Sequence, residues 1–268
     1  MDKPRLIVFT DLDGTLLDHD TYDWRPALPA LQCLAELGLP LVLNSSKTRP
    51  EIEALRDELD NDHPFIVENG AGVVIPAGYF DGGPEEVITT GASRAAILEV
   101  LSTQKARGYR FFGFSDLSPG ELARLTGLTP EAAAMAGDRI GTEPILWQDS
   151  STRLASFRDA LAERDLQLQQ GGRFLHVMGR FDKVDGMHQL MTRYQSQTPD
   201  WPCRSVALGD SLNDRDMLAG ADLAVVIAGV NASRIELPAD HPVIRSTERG
   251  PTGWNQSVSE VLTRFGYR

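Results

Sequence analysis

The stretch Leu6-Ile7-Val8-Phe9-Thr10 reads as a buried strand and runs straight into two carboxylates, Asp11 and Asp13, followed by Gly14. Side chains two apart on an extended backbone point the same way. Both acids therefore leave the carboxyl end of a strand together, which is where open α/β sheets bind ligands. Two carboxylates that close repel each other unless a cation lies between them. The pair suits a Mg²⁺ site in which one carboxylate also attacks a phosphoryl group. The competing explanation is an ordinary acidic turn, because Asp and Gly favour turns.

Strand-like and helix-like segments alternate along much of the chain, which points to a mainly parallel sheet. Strands are expected at Leu6 to Thr10, Pro40 to Asn44, Phe65 to Glu68, Ser205 to Leu208 and Leu223 to Ile227. Helices are expected from Pro26 to Glu36, Pro50 to Leu59, Val184 to Tyr194, Asp214 to Ala219 and Ser257 to Phe265. After Gly82-Gly83-Pro84 the texture changes to several helices mixed with short strands, and the α/β alternation resumes at Lys183. The expected fold class is α/β: a Rossmann-like, mainly parallel sheet core with an inserted α+β domain. Residues 1–83 and 181–268 would form the core, and residues 84–180 the insertion.

Composition narrows the partners. No apolar run among the 268 residues approaches the roughly 18 of a membrane span. The short apolar stretch near the start leads into acids, unlike a signal peptide. A cytoplasmic setting is expected, with Cys33 and Cys203 as free structural thiols. A net charge of −12 disfavours nucleic acid and anionic membrane as partners. An anionic small-molecule substrate would need local positive charge. Lysine is rare: only Lys3, Lys47, Lys105 and Lys183 occur.

Two of those lysines fall in further motifs. Leu41-Val42-Leu43-Asn44-Ser45-Ser46-Lys47-Thr48 is a strand ending in small hydroxyl residues before a helix. Hydroxyls and backbone N–H groups at a helix entrance hold phosphate oxygens well. Ser45 is the phosphate-binding candidate, and Lys47 follows it. Lys183 opens a helix after Gly179-Arg180-Phe181-Asp182 and would act as a point charge on a transferring phosphoryl group. Ser205-Val206-Ala207-Leu208-Gly209-Asp210-Ser211-Leu212-Asn213-Asp214 is a second buried strand that ends in acids. A hard divalent cation takes oxygen ligands from several segments. Asp11, the Asp13 backbone carbonyl and Asp210 would supply three. Asp214 would hold a metal-bound water or position Lys183.

These four pieces, in this order, resemble the haloacid dehalogenase-like phosphohydrolase superfamily. Asp11-Leu12-Asp13-Gly14-Thr15 is similar to its first motif, Ser45 to its second, Lys183 to its third and Gly209-Asp210-Ser211-Leu212-Asn213-Asp214 to its fourth. An insertion near residue 84 resembles subclass IIB, whose α+β cap selects substrate. The resemblance implies that Asp11 is the nucleophile and forms an aspartyl phosphate. It implies that Asp13 is general acid and then base, and that Asp11, Asp13, Asp210 and Asp214 form a Mg²⁺ site. One departure is Val184, where the family often has glycine after the lysine.

Along nearly the whole chain the resemblance extends to the mannosyl-3-phosphoglycerate phosphatases and their bacterial relatives. It rests on Asn44 to Arg49, Glu68-Asn69-Gly70-Ala71, Arg139, Thr142-Glu143-Pro144, Gly171-Gly172-Arg173-Phe174-Leu175-His176 and Glu248 to Trp254. It implies substrate contacts from Ser45, Lys47, Asn69, Arg139, Glu143, Gly172, Arg173, His176 and Asn213. A glycosyl phosphoglycerate offers a carboxylate, a phosphate and sugar hydroxyls. Arg173 is a candidate for the carboxylate, Arg139 for an anionic group, Glu143 for sugar hydroxyls, and His176 for the cleft. Trp254 is expected to pack in the core. The expected activity is hydrolysis of mannosyl-3-phosphoglycerate to mannosylglycerate, a compatible solute. The alternatives are glucosyl-3-phosphoglycerate or another sugar phosphate, a phosphomutase, and a non-catalytic sugar-phosphate sensor.

Overall fold

The computed structural model describes residues 3–171 and 173–268. The elements run β1 (Arg5–Thr10), α1 (Leu28–Glu36), β2 (Leu41–Leu43), α2 (Arg49–Leu59), β3 (Phe65–Val67), β4 (Gly72–Ile75) and β5 (Glu86–Thr89). They continue as α3 (Arg94–Ala106), β6 (Phe111–Gly113), α4 (Pro119–Thr126), α5 (Pro130–Gly137), β7 (Thr142–Trp147), α6 (Ser151–Ala162), β8 (Leu166–Gln170) and β9 (Leu175–Gly179). The chain closes with α7 (Lys183–Gln197), β10 (Cys203–Gly209), α8 (Arg215–Gly220), β11 (Leu223–Ala228), β12 (Val243–Arg249) and α9 (Gly250–Arg264).

A parallel sheet in the order β12-β11-β10-β1-β2 forms the centre. β1 is apolar from Leu6 to Phe9 because both faces of the sheet are covered, as parallel sheets require. Leu6 and Val8 pack with Leu34 of α1 and with Trp254, Val258 and Val261 of α9. Ile7 and Phe9 pack on the other face with Met187, Leu190 and Tyr194 of α7 and Met217 of α8. Trp254 is fully buried and its Nε1 donates to Thr10 Oγ1 at 3.0 Å, so it belongs to the core as expected.

Beyond β2, a bridge between Asn44 and Ile66 leads to an antiparallel β3-β4-β5 ribbon. Here the expected boundary at residue 84 needs correction. β5 pairs with β4 in register Gly72↔Thr89 to Ile75↔Glu86, so residues 86–89 extend the core ribbon rather than begin the insertion. One strand and one helix also differ from expectation. β12 is an edge strand with only Ile244 buried, so it lacks the apolar run that marks its neighbours. α9 starts at Gly250, seven residues before Ser257, with Pro251 in the first turn, where its missing N–H costs nothing.

The inserted unit carries a four-stranded antiparallel sheet, β6-β7-β9-β8. One face packs on α3 and α6 through Ile97, Leu101, Ile145, Phe157, Leu161 and Val177. The other face meets the core: Met178 packs with Ala71 and Phe181.

Candidate active site

The four motif segments converge at the carboxyl ends of β1, β2 and β10. The register explains why. Thr10 of β1 lies opposite Leu208 of β10, and the Asp11 N–H still donates to the Leu208 carbonyl at 2.9 Å. Asp11 and Asp210 therefore follow neighbouring strands at the same level. Thr10 also lies opposite Leu43 of β2, and the Asn44 N–H donates to the Thr10 carbonyl at 2.8 Å, which brings Ser45 to the same rim.

Lys183 is the centre of this arrangement. It is fully buried, and its Nζ donates to Asp11 Oδ1 at 2.5 Å and to Asp214 Oδ1 at 2.6 Å. It stands at the first position of α7, whose N-cap Asp182 accepts the Val184 N–H, and its carbonyl accepts from Asn44 Nδ2 at 2.9 Å. Burial alone would lower the pKa of this lysine; the charges of Asp11 and Asp214 overcome it and hold the ammonium ion firmly protonated. Asp214 is fully engaged. Its Oδ2 accepts from the N–H groups of Asp210 and Ser211 at 3.2 and 3.0 Å and from Ser211 Oγ at 3.1 Å.

Asp11, Asp210 and Asp214 offer carboxylate oxygens within 4.8 Å of one another. Burial first, and then the Asp214 charge, raise the Asp11 pKa well above the usual carboxylate range, against the pull of Lys183. The same two causes push Asp210 up to about 6. One ammonium ion does not balance three such acids, so the donor set fits a hard divalent cation. Asp210 sits in a cradle that admits no extra carbon. A Cβ on Gly14 would lie 2.7 Å from Asp210 Oδ2, and Gly14 has φ +84°, where only glycine is at ease. Thr15 Oγ1 donates to Asp210 Oδ1 at 3.3 Å, a contact that the first motif contained and sequence reasoning left without a role.

Asp13 stands further out, with its side chain about one-third exposed, and pairs with Lys47 Nζ at 3.0 Å. The charges of Asp13 and Glu51 raise the Lys47 pKa despite the opposing, largest effect of burial. Ser45 is buried, and its Oγ accepts only the Lys47 N–H, at 3.3 Å, among the described residues. Asn69 is buried beside it, with its N–H donating to the Ser45 carbonyl at 2.8 Å and its Oδ1 unpartnered among the described residues. Asn213 lies half-buried in the turn after Asp210 and touches Ser211 Oγ.

The inserted unit's candidates divide. Arg139 reaches the core: its Nη1 donates to the Ser46 carbonyl at 3.3 Å and to Thr142 Oγ1 at 2.8 Å. His176 is buried on the core-facing side of β9, opposite Pro144, with Nδ1 unpartnered among the described residues. Burial and the Arg139 charge lower its pKa to about 3, so it is neutral. Glu143 does not face the cleft, which corrects the expectation for it. It lies opposite Val177 and two residues from Ile145, on the face packed against α3. It is fully buried, and its oxygens accept from Ser115 N–H at 2.7 Å and from Arg94 Nε at 3.1 Å. Arg173 is exposed and donates to the carbonyls of Leu125 and Thr126 at the end of α4, at 2.6 and 3.0 Å. It serves that helix end instead of the acid cluster. Gly172 lies outside the described residues.

Glu68 has a role that its place in the sequence does not announce. This acid is fully buried and accepts hydrogen bonds from the inserted unit's residues 140–142. The faint sign of it is an acidic residue directly before Asn-Gly in an otherwise apolar stretch.

Comparison with known proteins agrees with this geometry. The haloacid dehalogenase-like hydrolase family matches residues 8–116. A glucosyl-3-phosphoglycerate/mannosyl-3-phosphoglycerate phosphatase of Methanococcoides burtonii is 34% identical over 96% of this chain and 97% of its own. The enzyme of the same name from Persephonella marina is 32% identical over 97% of this chain and 98% of its own. Among solved structures, a protein of Thermoplasma acidophilum superposes with a TM-score of 0.65 over the whole of both chains at 19% identity. The sucrose-phosphatase of Synechocystis, crystallised with sucrose and phosphate, gives 0.65 over 98% of each at 14% identity. These two share the fold.

Proposed function

The chain belongs to the family of the glucosyl-3-phosphoglycerate/mannosyl-3-phosphoglycerate phosphatases, within the haloacid dehalogenase-like hydrolases, and we propose that it releases phosphate from a glycosyl-3-phosphoglycerate. As a member of that family it is a phosphoric monoester hydrolase. Mannosyl-3-phosphoglycerate is our first choice of substrate and glucosyl-3-phosphoglycerate the second. One observation carries the proposed chemistry: a buried lysine bridging Asp11 and Asp214 beside Asp210, at the rim where Ser45 follows β2.

In this proposal an Asp11 carboxylate oxygen attacks phosphorus. As that bond forms, the bond from phosphorus to the glycerate oxygen breaks, and Asp13 gives its proton to the departing oxygen. Water then attacks the phosphorus of the Asp11 acyl phosphate. Asp13, now ionised, takes the water's proton, and the Asp11 carboxylate is restored as phosphate leaves. Lys183 offsets the repulsion between Asp11 and the dianionic ester, and Asp214 holds Lys183 in place. Ser45 donates its hydroxyl to a phosphoryl oxygen. Mg²⁺, held by Asp11, the Asp13 carbonyl and Asp210 with Asp214 behind them, would add positive charge at the phosphoryl oxygens. We assign residues 1–90 and 181–268 to the catalytic core and 91–180 to a cap that contributes Arg139 and His176 toward the substrate. A cytoplasmic setting is part of the proposal, supported by the free thiols Cys33 and Cys203. None of the described helices is long and apolar enough to cross a membrane.

The test is phosphate release from both glycosyl phosphoglycerates, 3-phosphoglycerate and a hexose phosphate, with Mg²⁺ and no bisphosphate activator. At least one glycosyl ester should exceed 3-phosphoglycerate by about tenfold or more in kcat/KM. Equal, slow turnover of all four would remove the substrate assignment. Dependence on a bisphosphate would favour a mutase, and binding without turnover a sensor.

A further inference from the structure

We propose that Glu68 is a positioning residue that fixes the cap's Arg139 against the loop after β2, so that substrate recognition from the cap depends on a carboxylate supplied by the core. This inference rests on the cleft between the two units being the phosphate-ester site.

The backbone here is held in an unusual shape. Glu68 and Asn69 have φ of +52° and +59°, the left-handed region that few non-glycine residues enter. Such conformations persist where the surroundings over-determine them, and they concentrate at functional sites. The surroundings here are the Ser45–Lys47 loop: the Glu68 N–H donates to the Lys47 carbonyl at 2.9 Å, and the Asn69 N–H to the Ser45 carbonyl at 2.8 Å. The following Gly70 is forced by contact, since a Cβ there would lie 2.3 Å from the Asp182 carbonyl oxygen. The turn is thus clamped between the Ser45 loop and the start of the Lys183 helix.

That clamped turn aims the Glu68 side chain out of the core and into the cap. Its Oε1 accepts the Ile140 N–H at 2.7 Å, and its Oε2 accepts the Gly141 N–H at 3.2 Å and the Thr142 hydroxyl at 2.7 Å. Thr142 Oγ1 in turn accepts from Arg139 Nη1, which also donates to the Ser46 carbonyl. Arg139 Nε is tied to the Ala136 carbonyl at 3.1 Å. The guanidinium is therefore fixed through two nitrogens, and Nη2 has no protein partner among the described residues. Burial works against the Arg139 charge, and Glu68 is the foremost acid sustaining it. A second tie between the same loop and cap already exists, from Thr48 Oγ1 to the Met135 carbonyl at 2.8 Å.

Glu68→Gln tests this. The variant keeps the shape but sets an amide N–H₂ against donors. Amide exchange at Ile140 and Gly141 should accelerate, while the amides of β1 and β10 should not change. KM for the preferred glycosyl phosphoglycerate should rise about tenfold, with kcat/KM for p-nitrophenyl phosphate within about twofold of wild type. Thr142→Val, which removes only the bridging hydroxyl, should move KM in the same direction and serves if Glu68→Gln folds poorly. Parallel losses on both esters, or an unchanged KM, would make Glu68 a structural staple and overturn the inference. Wild-type exchange at Ile140 and Gly141 would also overturn it. Failure of the substrate assignment looks different: the wild type itself would show no preference for the glycosyl ester.

Discussion

The core and the cap place their side chains by different devices. In the core, adjacent parallel strands share a register, and whatever follows a strand arrives at a common rim. Asp11 and Asp210 meet because Thr10 lies opposite Leu208, not because either acid has a special conformation. In the cap, an antiparallel sheet buries one face in its own interior and turns the other to the core. Position there is decided by the parity of a single residue. Thr142 and Glu143 are neighbours in sequence; the first bonds to the core's Glu68, and the second to the cap's own Arg94. A strand-tip site tolerates slips of interpretation that a strand-face site does not.

The largest effect should come from the core. Asp11→Asn removes the proposed nucleophile and should lower kcat by about 10⁴-fold or more. Stability should move the opposite way. An acid whose pKa is raised by folding destabilises the metal-free protein at every pH above that value, and the penalty fades only as pH falls through it. Removing the charge should therefore raise the Tm of the metal-free protein at pH 7.5. Retained turnover would show that Asp11 is not the nucleophile, and a lowered Tm that its neighbours do not strain it. It would also break the contrast between a chemical core and a selective cap.

That contrast also explains what could be read from the sequence. Strand-tip acids were legible because a covered parallel strand is an unbroken apolar run, and its end is visible. β12 was not, because an edge strand of Val-Ile-Arg-Ser-Thr-Glu-Arg buries only Ile244. β5 was hidden for a similar reason, with Val87 and Thr89 exposed. In the cap, residue types suggested Arg139, Glu143, Arg173 and His176 equally. Only the pairing Glu143↔Val177 and the carbonyls at the end of α4 separate them. Glu68 needed tertiary information, since its partners lie 72 to 74 residues away.

A smaller effect concerns the cation. Asp210 has a pKa of about 6, raised by burial and by the Asp214 charge. A carboxyl must be ionised to ligate, so protons compete with metal below that pH. Mg²⁺ affinity measured by calorimetry should fall by about tenfold per unit or more as the pH drops below 6. Asp210→Asn should bind weakly at every pH and lose this part of the slope. Affinity that does not change between pH 5 and 7 would place the metal away from Asp210.

The smallest effects compare two arginines inside the cap. Arg139 is buried and reaches the Ser46 carbonyl, so its planar fork cannot be replaced by a point charge. Arg139→Lys should raise KM about tenfold while changing kcat little. Arg173 is exposed and completes the last carbonyls of α4, a role that solvent can partly assume. Arg173→Ala should shift KM less than about twofold and cost less than about 1 kcal/mol in stability. If Arg173→Ala instead raised KM as much as Arg139→Lys, the arginine would have to leave α4 when substrate binds. Recognition in the cap would then depend on a rearrangement at that helix end as well as on strand parity.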